Sequence, residues 1–319
     1  MTFLQWFLNF LGVVICTHIG PVQSQQLPNV YDGQEAVHIE VEPSDPSSIA
    51  YREQKHIILQ KLSPEFRMQF QAKRRQAELD YSKGVKVPLA YELPYSTKVL
   101  DQGQYGTCVT FATTSAAQAA LKLVDVISQQ CTLELLQGLG SNLWNGAYYS
   151  SEILDPLKAH GAVSKSKCPS AYPNSYASLQ PEAYKALVDA SIPIQQVQYV
   201  YHASLNVEQV KLALNQGHYV SIGFGLLNSG DAISVQGYDV KVNGVSHAGG
   251  LWACKQGIFS KNYCGTPQAG HEVVIYGYDE SQRLFRIRNS WADKSGFKGD
   301  FFMSYEFFSS MNMDGTEIY

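Results

Sequence analysis

Residues 101–111 read DQGQYGTCVTF, and the role given to Cys108 decides the fold. Gly103 and Gly106 free the backbone for a tight turn. The following VTFATTSAAQAALKLV is an alanine-rich helix former, expected to run to about Ile127 with Thr107 as its N-cap. Cys108 then lies in the first helical turn, where the helix dipole favours negative charge by about 0.3–1 kcal/mol and draws a thiol toward thiolate. Its backbone N–H has no partner within the helix and is free to donate to an oxyanion. Gln102, six residues upstream, offers a second donor. Three readings of Cys108 stand at this point: a nucleophile, half of a disulfide, or a small buried apolar residue.

A cysteine nucleophile needs a base, and the base needs an orienting partner. His271, in AGHEVVIYGYDE, opens an alternating apolar strand directly after Gly270. The adjacent Glu suggests a zinc-protease motif, but that motif needs a second His four residues on, where Ile275 stands. No cysteine spacing is CxxC, which argues against a zinc knuckle. Asn289 ends the strand LFRIRNSW and is the natural orienting amide, with Trp291 as a shield from water. Taken singly, each has an ordinary structural reading: a satisfied core histidine, a turn asparagine, a core tryptophan.

Helices are expected after Cys108, over about 150–159, 181–191 and 207–216, the last stopped by Gly217. Then the period switches to two. HYVSIGF, YDVKV, VSH, EVVIYGY, LFRIRNSW and DFFMSY all read as strands, and Asn243-Gly244 marks a hairpin. Helices first and strands second predict a segregated α+β fold.

In combination these segments resemble the papain/cathepsin family of cysteine proteases. DQGQYGTCVTFA is similar to its nucleophile segment, AGHEVVIYGYD to its histidine segment, and RNSWADKSGFKGDFFMS to its asparagine segment. LWNGAYYSSEILDPLKAHGAV resembles its Gly-Gly substrate-binding segment and the helix after it, and GIF with Cys264 also fits. The matches keep family order over roughly residues 88–319. The resemblance implies a two-lobed fold, with a helical lobe over about 100–200. A β-rich, barrel-like lobe over about 201–319 plus 88–99 would complete it, with a peptide-binding cleft between. It implies Cys108 as nucleophile, His271 as general base and then acid, Asn289 as orienter, and Gln102 with the Cys108 N–H as oxyanion hole. Asn145, Gly146, Ala147, Gly270 and Trp291 would contact substrate.

Several positions depart from the family pattern. Tyr105 replaces a cysteine, so one family disulfide is absent; Val109 replaces the Trp after the nucleophile. Ala147 replaces the second glycine of the substrate segment, Gly270 replaces an acid often found before the histidine, and 226–256 is long. No catalytic group is lost. The resemblance also implies a Cys131–Cys168 disulfide. Cys264 lacks its usual C-terminal partner, for which Cys254 is the substitute, and Cys108 remains free.

The N-terminus reads as processing sequence. Phe3 to Cys16 is apolar and uncharged, the length of a signal-peptide core, with cleavage expected after Ser24. No later segment has the roughly 18 consecutive apolar residues of a membrane span, so an extracellular or periplasmic chain with no stable membrane insertion is expected. Residues 25–50 read as an extended or disordered leader. From 51 to 79, Ile58, Leu62, Phe66 and Phe70 fall at steps of four, one face of a helix. Residues 51–83 carry eight Lys/Arg against four Asp/Glu, within a chain of net charge −4; the overall balance gives no argument for nucleic-acid binding. The expected organisation is a signal peptide over 1–24, a helical prosegment over 25–87 and a peptidase domain over 88–319. The prosegment would act as an intramolecular inhibitor of an enzyme that cuts peptide or protein substrates and uses no cofactor or metal. Two alternatives share the fold: a peptide-binding protein without turnover, and the same thiol chemistry in an amidase, isopeptidase or transferase.

Overall fold

A computed structural model describes residues 31–41, 55–62 and 87–319, the last stretch with breaks at 227–238, 243–244, 249–250, 254–263, 265–266, 268, 294–295 and 297. The helical part is built on α1 (Cys108–Ala120), buried on nearly every face. Its composition explains this. Ala112, Ala116, Ala117 and Ala119 are small enough for neighbours to approach from all sides, as expected of a helix without a polar face. Two further helices pack on it, α2 (Gln129–Gly138) and α3 (Ser151–His160). The Ser128 side chain caps α2 by accepting the Cys131 N–H. Short α4 (Pro181–Lys185) and α5 (Val207–Asn215) follow, α5 opening on an Asn206/Gln209 capping box.

The strand part is one main sheet and a separate hairpin. Its path runs β4 (Tyr199–His202), β12 (Asn312–Ile318), β5 (Tyr219–Leu226), β9 (Ala269–Asp279), β10 (Leu284–Arg288), β11 (Asp300–Ser304), β8 (Leu251–Trp252). Pairing is antiparallel except between β11 and β8. Among the described residues the path does not close, and the strands of the barrel-like lobe form an open sheet there. The 11-residue β9 is its spine, buried from Ala269 to Tyr278 and paired also with β3 (Ala90–Glu92). A separate hairpin joins β6 (Asp239–Val242) to β7 (Val245–Ala248). α6 (Tyr305–Met311) leads into β12. Among the described residues no helix is long and apolar enough to cross a membrane.

α1 packs directly on β9 and β5. One apolar core therefore spans both lobes, taking in Val109, Ala112 and Ala116 from the helix with Phe224, Val273 and Ile275 from the sheet. The α+β segregation holds, and the nucleophile helix meets the histidine strand.

The leader differs from expectation. Tyr31–Val41 (β1) and Lys55–Leu62 (β2) form an antiparallel pair. Ile58 and Leu62, expected on a helix, lie on a strand; KHIILQKL is a run that period alone does not assign to either state. β2 also joins the main sheet, Lys61 opposite Ala269. Phe66, Phe70 and the expected signal peptide lie outside the described residues, as do Asn243-Gly244 and most of 226–256. The first helix stops at Ala120 rather than Ile127, and the helix expected over 181–191 keeps only its first turn. α2, α6 and β12 were not expected.

Candidate active site

The turn before α1 is built on two glycines. Gly103 adopts φ +59°, a left-handed conformation. At Gly106 a Cβ would stand 2.9 Å from the Asn145 carbonyl oxygen, so two backbones approach where no side chain fits. Thr107 occupies the cap position but does not cap; its hydroxyl bonds Tyr172 at 3.0 Å instead. Cys108 is the first residue of α1, buried, and the free cysteine among the described residues. Its sulfur lies against the backbone N–H groups of Glu272, Val109 and Cys108 itself. Burial, then the nearby Glu272 carboxylate, push the thiol up to about 12 against the help of those N–H groups.

Glu272 follows His271 on β9, and its backbone N–H lies against the Cys108 sulfur, so the strand that carries the histidine packs on the helix that carries the nucleophile candidate. His271 Nε2 and Asn289 Oδ1 are 2.8 Å apart. Oδ1 also accepts the Ser290 N–H at 2.8 Å, which fixes the amide orientation. A carbonyl oxygen only accepts, so Nε2 carries the proton in the neutral ring and Nδ1 carries the lone pair. Nδ1 is buried and has no hydrogen-bond partner among the described residues. Burial pulls the imidazole down to about 4, the Asn289 bond opposing it. Trp291 stacks on the ring at 4.7 Å, and Phe224 and Trp252 pack edge-on at 5.7 and 6.2 Å. Trp291 is thus the expected shield. Burial works against both charges, so this closed arrangement favours neutral thiol and imidazole over the ion pair that the resemblance implies.

Gln102 is fully buried and held by five hydrogen bonds, one of them from the Tyr105 N–H to its carbonyl at 3.4 Å. Its N–H donates to the Ser290 carbonyl at 2.9 Å and its Nε2 to the Tyr105 carbonyl at 2.9 Å. Its Oε1 accepts from Ser290 Oγ at 2.6 Å and its carbonyl from Tyr172 at 2.7 Å. One Nε2 hydrogen is left for a further acceptor. The Asn145 backbone sits against the turn at Gly106, followed by Gly146 at φ +132° and the buried Ala147. Gly270 is buried on β9 opposite Gly225. Tyr105, in place of the absent disulfide cysteine, sets its ring edge-on to Trp144 at 5.2 Å.

Three residues at the site escaped sequence reasoning. Ser290 and Glu272 stood inside motifs already singled out, the latter set aside with the failed zinc motif; Tyr172 carried no local signal. Glu272 accepts from Ser221 at 2.7 Å, and burial and then the Asp314 charge raise its carboxyl above the usual range. The Cys131–Cys168 disulfide is present. Cys264 is disulfide-bonded; Cys254 lies outside the described residues. Cys131 and Cys168 with Glu134 are close enough to suggest a metal site, but their sulfurs are joined to each other and do not fit thiolate ligation.

The model of the papain family cysteine proteases matches residues 92–316. An uncharacterized peptidase C1-like protein of Acanthamoeba polyphaga mimivirus is 26% identical over 135 residues, 41% of this chain and 38% of that one. The fold is similar to that of xylellain, a cysteine protease from Xylella fastidiosa (TM-score 0.55, 23% identity, 73% of this chain and 86% of that one). It is also similar to digestive procathepsin L 3 of Tenebrio molitor (0.51, 16%, 73% and 71%). Bromelain from Ananas comosus in complex with the E64 inhibitor is a third such structure (0.51, 17%, 73% and 99%). With the family model covering most of the chain and the helix–sheet junction built as described, the chain belongs to the papain family of cysteine proteases.

Proposed function

We propose that the chain is an exported cysteine endopeptidase made as a zymogen. The observation that carries the reading is the His271–Asn289 bond, which keeps the proton on Nε2 and leaves the buried Nδ1 lone pair without a hydrogen-bond partner among the described residues. Cys108 Sγ attacks the substrate carbonyl carbon as its proton passes to His271 Nδ1. The C=O π pair moves onto oxygen, which takes hydrogen bonds from the Cys108 N–H and the remaining Gln102 Nε2 hydrogen. The C–N bond breaks, His271 returns the proton to the departing amine, and a thioester remains. Water, losing a proton to His271, attacks the thioester carbon; the thiolate leaves and is reprotonated. Asn145, Gly146, Ala147, Gly270 and Trp291 border the path of the peptide. No step calls on a cofactor.

The signal peptide, the prosegment over 25–87 and the domain starting at 88 belong to the same reading. It is supported by the pairing of β2 with β9 two residues before His271.

The test uses the purified full chain, before and after incubation that removes the leader, beside Cys108→Ala. Expected are a mature N-terminus near 83–87, labelling of Cys108 by an epoxide thiol probe, and cleavage of an unfolded protein, all three absent or inert in Cys108→Ala except the N-terminus if a second protease cuts it. Labelling at another cysteine without cleavage would sink the enzyme reading. Full activity with residues 25–87 still attached would sink the zymogen. Cleavage of small amides but not of peptides would favour the amidase alternative.

A further inference from the structure

We propose that Tyr172 is a positioning residue for the oxyanion donor Gln102, an inference that rests on the peptidase reading above. The Tyr172 hydroxyl donates its one proton to the Gln102 carbonyl at 2.7 Å. Its 3.0 Å bond with Thr107 Oγ1 then has Thr107 as donor. One phenol oxygen thereby ties Gln102, at the start of the nucleophile turn, to Thr107, which immediately precedes Cys108. The ring is fixed as firmly as the hydroxyl. It stacks on Trp144 (5.7 Å, 14°) and meets Phe111 edge-on at 4.9 Å and Tyr105 at 6.2 Å.

The segment carrying Tyr172 is anchored on both sides to the start of α2. Upstream, Cys168 is joined to Cys131. Downstream, the Asn174 N–H donates to Gln130 Oε1 at 2.9 Å and the Gln130 amide donates back to the Asn174 carbonyl at 3.1 Å. Adjacent residues of α2 thus bracket Tyr172. The anchored loop passes its rigidity to the turn through the Tyr172 hydroxyl and the ring contact with Tyr105, and the hydroxyl alone reaches the Gln102 carbonyl. Holding the Gln102 backbone holds the Nε2 hydrogen aimed at the developing oxyanion, which is where preorganised donors have their largest effect.

Tyr172→Phe keeps the ring packing and removes both hydrogen bonds. In the matured full-length product we expect kcat to fall about tenfold with KM within about twofold, less than the 10²–10³ for removing a donor outright. A peptide aldehyde, which bonds Sγ to its carbonyl carbon and moves the thiol proton onto its oxygen, reads the oxyanion site without turnover. Its affinity should fall about tenfold, while iodoacetamide alkylation of Cys108, which forms no oxyanion, stays within about twofold. In a Gln102→Ala background, Tyr172→Phe should add less than about twofold, because the two act through one donor. Unchanged aldehyde affinity, alkylation falling in step with kcat, or additive losses in the double variant would each overturn the proposal. Wild type that binds aldehyde but hydrolyses no peptide would count against the peptidase reading alone. Wild type with no Cys108-dependent aldehyde binding would overturn both.

Discussion

Ser290 donates its hydroxyl to Gln102 at 2.6 Å while its neighbour Asn289 holds His271 at 2.8 Å. Two adjacent residues after β10 therefore hold His271 on one side and Gln102 on the other, the base and the oxyanion donor of the proposed reaction. Ser290→Ala leaves Gln102 Oε1 buried without a donor, a cost of about 1–3 kcal/mol. The amide is then free to turn. We expect kcat to drop with little change in Cys108 alkylation, measured on matured protein beside Ser290→Thr, which restores a hydroxyl and should recover part of the loss.

Asn289→Ala removes the partner that fixes the His271 tautomer. Losing a hydrogen bond to a group that becomes charged in the reaction costs about 1.5–3 kcal/mol, and so about 10–100-fold in kcat/KM. Steady-state kinetics check this. An unchanged value would mean that Trp291 alone orients the ring.

The depressed imidazole links stability to pH. His271 is held down to about 4 by burial, below its ordinary 6.5. Its contribution is therefore full above about 6.5 and is lost as pH falls through about 4. The shift amounts to a loss on the order of 3 kcal/mol across that window. Urea unfolding of wild type and His271→Gln between pH 7 and about 4 should show a shallower slope in the variant.

Glu272→Gln removes the carboxylate that, after burial, does most to raise the Cys108 thiol. The pH midpoint of Cys108 alkylation should move down in the variant. A midpoint that stays put would mean that burial alone raises the thiol.

The Cys131–Cys168 disulfide closes a separation of 37 residues. Replacing both cysteines by Ala should cost roughly 2–4 kcal/mol of stability, read from urea unfolding. Titration of free thiols in the exported form, after mild denaturation, should return one.

The site was more legible in the sequence than the leader was. Cys108, His271 and Asn289 each lie at or near the end of an element whose period is strong, which made them candidates, and the resemblance to the papain/cathepsin segments singled them out together. Gln102 was found the same way. Tyr172 was not, because its role depends on a loop brought in by a disulfide and by Gln130, contacts with large sequence separation and no periodic trace. α6 was lost for another reason: YEFFSSM is aromatic-rich and β-prone, and it is helical because Ser304 caps it by accepting the Phe307 N–H. KHIILQKL reads equally well with either period, and partner β1 decides it.

Among the described residues, β2 meets β9 at one register position, Lys61 opposite Ala269. So short a seam gives little affinity of its own. On the zymogen reading, the tether supplies the effective concentration that keeps the hairpin seated. A single cut in the connecting chain would then act as a one-way valve: the released hairpin dilutes away, and adding it back in trans at ordinary concentrations would not silence the enzyme again.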